Sequence, residues 1–160
     1  MSSILTIGFC MRRLIEQFDT RVWGRLRNIE VPLARLALFV VYFWFGALKA
    51  LDLSPAASLV LELHTRTIPF IPFQSFYGAF AVFEMAIGFL FLLRGMERVA
   101  LLMVAAHLAM TALPLVILTD TTWQGFLAPT LEGQYIIKNV LIAALAVVVG
   151  AHARNAAHNG

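Results

Sequence analysis

Four apolar stretches, each long enough to cross a bilayer and each carrying an ionisable residue, restrict this chain more than any other feature. A membrane helix needs about 20 apolar residues at a rise of roughly 1.5 Å each. Residues 31–51, 75–94, 97–118 and 135–152 meet that length, and Lys49, Glu84, His107 and Lys138 stand within them. A charge in hydrocarbon costs roughly 2.5 kcal/mol or more and persists where it faces a partner or a wet cavity. With 61% hydrophobic and 13% charged residues, the chain also has too little polarity for a soluble surface, where about a quarter of residues are charged. The sequence therefore predicts an all-α polytopic membrane protein, a four-transmembrane-helix bundle in contact with the lipid bilayer.

Three segments are expected along the chain: 1–30, a membrane domain over 31–152, and a tail over 153–160. In the first, Met11, Leu14, Phe18, Val22 and Leu26 recur at helical spacing, with Arg12, Arg13, Glu16, Asp19 and Arg25 elsewhere around the wheel. That pattern predicts an N-terminal amphipathic helix on the cytoplasmic side, with Trp23 as an interfacial anchor. Ile4 to Met11 is not read as a signal peptide, because its positive charges follow the apolar run and no small-residue cleavage site comes next. The second and third spans are joined around Arg94, Gly95 and Met96, which makes them antiparallel neighbours. Ser54 and Pro55 predict the start of a short external interfacial helix, with Ala56, Leu59, Val60 and Leu63 on one face and Pro69 and Pro72 ending it. His64, near its end, reads as a surface residue. Residues 119–134 read as an interfacial or partly re-entrant cap.

Charge sets the orientation and narrows the function. Arg12, Arg13, Arg21, Arg25, Arg27, Arg94, Arg98 and Arg154 fall on one side of a four-span topology, while Arg66 lies in a loop on the other. The positive-inside rule then puts both termini in the cytoplasm. The net charge of +3 belongs to these membrane flanks, and no nucleic-acid partner is expected. Cys10 is the single cysteine, which excludes an intrachain disulfide, a CxxC pair and a thiolate cluster. Nucleophile elbow, phosphate loop and metal-spaced histidine pair are all missing from the sequence, so neither a stand-alone enzyme nor an intrinsic metal or cofactor is expected.

The polar residues can be placed by depth. Lys49 falls near the outer end of the first span, Glu84 further inward on the second, His107 near the middle of the third and Lys138 just inside the outer start of the fourth. All four are expected to turn inward, with Glu84 as counter-ion to Lys49, Lys138 or both. Thr111 lies one turn from His107 and Asn139 is beside Lys138. The candidates for ligand binding or proton carrying are thus Lys49, Glu84, His107, Thr111, Lys138 and Asn139, in a polar pocket under the external loops. Structural alternatives stay open: snorkelling lysines, an ion pair retained for specificity, and a neutral core histidine bonded to a helix carbonyl or Thr111. Gly46, Gly78, Ala81, Gly88 and Ala106 read as close-packing positions. Phe39, Tyr42, Phe43, Trp44 and Phe45 encircle their helix and define no site.

A first helix ending Phe45-Gly46-Ala47-Leu48-Lys49, a second with Glu84 four residues before Gly88 and then Arg94-Gly95, and a fourth opening Tyr135-Ile136-Ile137-Lys138-Asn139 resemble the DoxX-like family of small bacterial membrane proteins. The resemblance covers residues 31–152. It implies a four-helix bundle in the bacterial inner membrane and, from the founding members, a small subunit of a quinone-linked membrane oxidoreductase; other relatives are linked to oxidative stress. Gly46, Lys49, Glu84, Gly88, Lys138 and Asn139 match the family's motifs, while the segment before residue 30 and the long external loop with His64 depart from them. The resulting expectation is a redox- or stress-associated accessory subunit with a bound quinone and a membrane or periplasmic redox partner. The alternatives are a small transporter or proton-coupled permeation unit, which would require a homo-oligomer, and a non-catalytic membrane scaffold.

Overall fold

The structure is a computed structural model describing the backbone of residues 2–158 and the side chains of residues 22–152. Its elements are α1 (Ser2–Ala50), α2 (Ala57–Thr67), α3 (Phe73–Leu92), α4 (Glu97–Ala112), the single-turn helices α5 (Pro114–Ile117) and α6 (Thr119–Thr122), a minimal hairpin β1 (Trp123–Gly125) and β2 (Ala128–Pro129), and α7 (Leu131–His158). Among the described residues, four segments are long and apolar enough to cross a membrane: Val22–Ala50, Phe73–Leu92, Glu97–Ile117 and Leu131–His152. The all-α, four-span class predicted from the sequence is the observed one.

The chain divides into two units after Leu33. In the first, Val22, Trp23 and Leu26 are exposed, whereas Met11, Leu14 and Phe18 of the expected amphipathic face lie outside the described side chains. α1 runs as one helix through the boundary expected at residue 30, with Pro32 inside it.

In the second unit each of three helices buries one stripe. On α1 it is Leu38, Tyr42, Gly46 and Lys49; on α3, Tyr77, Ala81, Glu84, Gly88 and Phe91; on α4, Glu97, Ala100, Val104 and His107. Spacings of three and four keep residues on one side of a 3.6-residue turn. Leu38, Tyr42, Ile87, Phe91, Ala100, Val104, Ala146 and Val149 form one apolar core. α7 contributes the last two of these and exposes Val140, Leu141 and Val147.

Two glycines bring α1 and α3 together backbone to backbone. A Cβ on Gly46 would lie 2.8 Å from the Ala81 carbonyl oxygen, and one on Gly88 would lie 3.0 Å from the Phe43 nitrogen. Gly78 has open space where its Cβ would be, and Ala106 is exposed, so those two small residues are not packing positions within this chain. The tight turn between α3 and α4 uses Gly95 at φ +87, a conformation that glycine adopts without steric cost.

α2 begins three residues after Ser54. The Ser54 hydroxyl accepts a 3.3 Å bond from the Ala56 N–H in the preceding turn, and the helix itself starts from Ala56 without a side-chain cap. After α4, Pro114 has no N–H to give the Met110 carbonyl, which instead accepts from Leu113 N at 3.2 Å. The chain folds there through α5 and α6 into the hairpin. The Trp123 indole donates to the Leu115 carbonyl at 2.9 Å, and the Thr130 hydroxyl accepts from Gly133 N at 3.2 Å, an N-cap for α7. The segment expected as a cap is thus a folded strip that meets much of its polar backbone internally.

Candidate functional site

The crossing at Gly46 and Gly88 fixes what lies beside it. Lys49 is one turn beyond Gly46 on α1, and Glu84 one turn before Gly88 on α3, so the two side chains meet. Lys49 Nζ donates to both Glu84 oxygens, at 2.9 Å to Oε1 and 2.7 Å to Oε2. On α4, His107 Nε2 lies 2.9 Å from Glu84 Oε1. Its other nitrogen, Nδ1, lies 3.3 Å from the Tyr42 hydroxyl of α1. Four titratable groups from three helices therefore form one hydrogen-bonded chain: Lys49, Glu84, His107, Tyr42.

All four are buried, at 7%, 4%, 6% and 2% exposure. Desolvation of an ion pair costs several kcal/mol per charge and is offset only with good geometry and satisfied hydrogen bonds. Here each nitrogen and oxygen of the four side chains has a partner within the chain. Phe80, one turn before Glu84 on α3, covers the site, with its ring stacked on His107 at 5.5 Å and 14° and Lys49 Nζ 5.5 Å from its centroid. The Tyr42 and His107 rings meet edge to face at 5.1 Å. The polar cluster is closed and packed, where the sequence leads one to expect a polar pocket under the loops.

Three of the six predicted candidates, Lys49, Glu84 and His107, come together. His107 bonds to Glu84 and Tyr42, and not to a helix carbonyl or Thr111. Thr111 and Asn139 form a separate contact, Asn139 Nδ2 to Thr111 Oγ1 at 3.4 Å, in a shallow apolar groove with Leu108, Leu115, Ile136 and Val140. Lys138 joins neither group: it is exposed, with its ammonium 5.3 Å from the Tyr135 ring centroid. The expectation that it turns inward towards Glu84 is therefore corrected. The buried stripe of α7 passes through Asn139, Ala146 and Val149, and Lys138 lies about 100° away on the wheel.

Two residues went unrecognised in the sequence. Tyr42, read as part of an aromatic girdle, is seven residues before Lys49 and so shares its face; that spacing was the available signal. Glu97 pairs with Arg35 Nη2, and Arg35 Nη1 donates to the Phe91 carbonyl at 3.2 Å. Arg35 lies seven residues before Tyr42, again on the same stripe. His64, expected at the surface, is only 4% exposed because α2 lays it against Phe73 and Phe76. Among the described residues no group of three or more His, Cys, Asp or Glu side chains is arranged to hold a metal ion. Comparison of the chain with models of known families, with curated proteins and with solved structures finds no match.

Proposed function

We propose that this is a bacterial inner-membrane protein of DoxX-like type, with both termini cytoplasmic, acting as a redox- or stress-associated accessory subunit that works with a quinone-like ligand. In this reading the chain Lys49–Glu84–His107–Tyr42 is its proton-holding centre. The supporting observation is that Glu84 Oε1 meets both an ammonium and an imidazole, and the same imidazole reaches a phenol through its second nitrogen.

A clamp between helices needs only the lysine and the glutamate. Adding a histidine and a tyrosine buries further polar groups, each costly unless bonded, but it gives the carboxylate a neighbour that can hold or release a proton across 2.9 Å. Histidine is the side chain best suited to that exchange near neutral pH. Lys49 supplies the counter-charge at one end, and Tyr42 fixes the imidazole's orientation at the other. A quinone-like ligand supplies the electron chemistry when bound; the residues described here hold and orient a proton and keep water out. The distribution of arginines supports the orientation, and the motifs around Gly46, Glu84 and Lys138 support the family reading.

One observation favours a second reading, a non-catalytic membrane scaffold: every polar atom of the four side chains is engaged within the protein. Mass spectrometry of small molecules extracted from gently purified protein tests the first reading, which expects a quinone-like compound in the wild type. His107→Gln then separates the roles. It is expected to slow proton uptake, followed with a pH dye as bound quinone is reduced to quinol at an electrode, which supplies electrons without protons, while the melting temperature changes little. Empty wild-type protein, or unchanged uptake with a lowered melting temperature, favours the scaffold.

A further inference from the structure

The centre just described has no polar atom to spare, but a second cluster nearer the external loops does. Both ring nitrogens of His64 are buried without a hydrogen bond; the Tyr77 hydroxyl is buried too, with the Ser54 side chain as a hydrogen-bonding neighbour. A buried donor or acceptor left unmet costs about 1–3 kcal/mol, and His64 carries two. A phenylalanine would fill the same space without that cost, so packing alone does not account for an imidazole here.

The surroundings define what would fit. His64 meets the Phe73 ring at 5.4 Å and 71° and the Phe76 ring at 5.2 Å. Phe73 stacks on Tyr77 at 5.1 Å. The site therefore offers flat apolar faces, one imidazole that both donates and accepts, and a phenolic O–H. That combination suits a planar ring bearing carbonyl oxygens better than a charged or aliphatic guest.

We propose that His64 and Tyr77 bind the carbonyl oxygens of a quinone-like headgroup whose ring lies among Phe73 and Phe76. The inference rests on the reading that the ligand is quinone-like, and it moves that ligand away from Lys49. Two features support it. First, stacked rings lead from this cluster to the proton-holding centre: Phe76 on Phe80 at 5.9 Å and 8°, then Phe80 on His107 at 5.5 Å. Second, α2 is held to the rest of the unit by few polar ties. Its side-chain hydrogen bonds to the rest of the unit are Arg66 Nη1 to the Ile117 carbonyl at 3.3 Å and Thr121 Oγ1 to Glu62 Oε2 at 3.0 Å. An eleven-residue helix with so few ties opens locally at low cost.

The test is equilibrium binding of decyl-benzoquinone to the full chain in detergent, for wild type, His64→Phe, Tyr77→Phe and His64→Gln. The two phenylalanine variants keep the ring volume and are expected to melt no lower than wild type, yet to bind about tenfold more weakly, the effect of one lost hydrogen bond. His64→Gln retains a donor and an acceptor and is expected to stay closer to wild type than His64→Phe. Wild-type binding unaffected by any of these changes, but lost in folded Lys49→Met, overturns the inference and leaves the quinone reading intact. A wild-type protein that binds no probe overturns both.

Discussion

Two ion pairs of α1, one buried and one partly wetted, are built differently. Arg35 and Lys49 are fourteen residues apart on the same stripe, about 21 Å along the helix. Arg35 meets Glu97 and the Phe91 carbonyl and goes no further. Its guanidinium does not give up a proton, so the pair serves to hold α1 against the turn between α3 and α4. Lys49 meets a glutamate whose second contact is a histidine, and that histidine reaches a tyrosine. The first arrangement runs through a guanidinium that keeps its proton and stops at a backbone carbonyl, while the second is continued from its carboxylate by groups that can exchange one. An ion pair at membrane depth is thus common to both, and the identity of the next neighbour separates a fastening from a candidate site.

Substitutions sharpen this contrast. Glu84→Ala leaves Lys49 buried without its counter-ion and is expected to cost about 3–5 kcal/mol, measured by unfolding in detergent. Adding Lys49→Met should recover a good part of that loss; strictly additive effects would break the pairing. Gly46→Val forces side-chain atoms into the Ala81 carbonyl and is expected to cost about 1–3 kcal/mol, lowering the melting temperature by opening the crossing that aligns Lys49 with Glu84. Glu97→Gln removes one charge-assisted bond at a partly wetted pair, whose Arg35 side chain is 16% exposed. About 1–2 kcal/mol is expected, with proton uptake unaltered. Lys138→Met should change stability by no more than about 0.5 kcal/mol. A loss as large as that of Glu84→Ala would return Lys138 to the buried network.

The spans, the hairpin of α3 and α4, and the short helix α2 were legible because length, apolarity and proline placement act locally. The pairing of Lys49 with Glu84 was legible too, since charges of opposite sign at similar depth have few inexpensive places to go, whereas the bond between His107 and Glu84 was not. The errors lie where rotation about a helix axis decides. Lys138 and Asn139 are adjacent in sequence and differ by about 100°, so depth alone could not separate the exposed residue from the half-buried one. Tyr42 was hidden among four neighbouring aromatics, and only its seven-residue offset from Lys49 sets it apart. His64 depends on how α2 lies against Phe73 and Phe76, a contact no local pattern encodes.

The hairpin tip has a mechanical consequence. Phe126 is 95% exposed and Leu127 75%, and Leu127 sits at φ 55, a left-handed conformation that costs a leucine about 1–3 kcal/mol. Two bulky apolar side chains held outward at that expense would act as a draught mark, setting how deeply the hairpin end of the bundle floats in the lipid. Bilayers of different thickness would then stretch or thin around this end rather than let the protein ride up or sink.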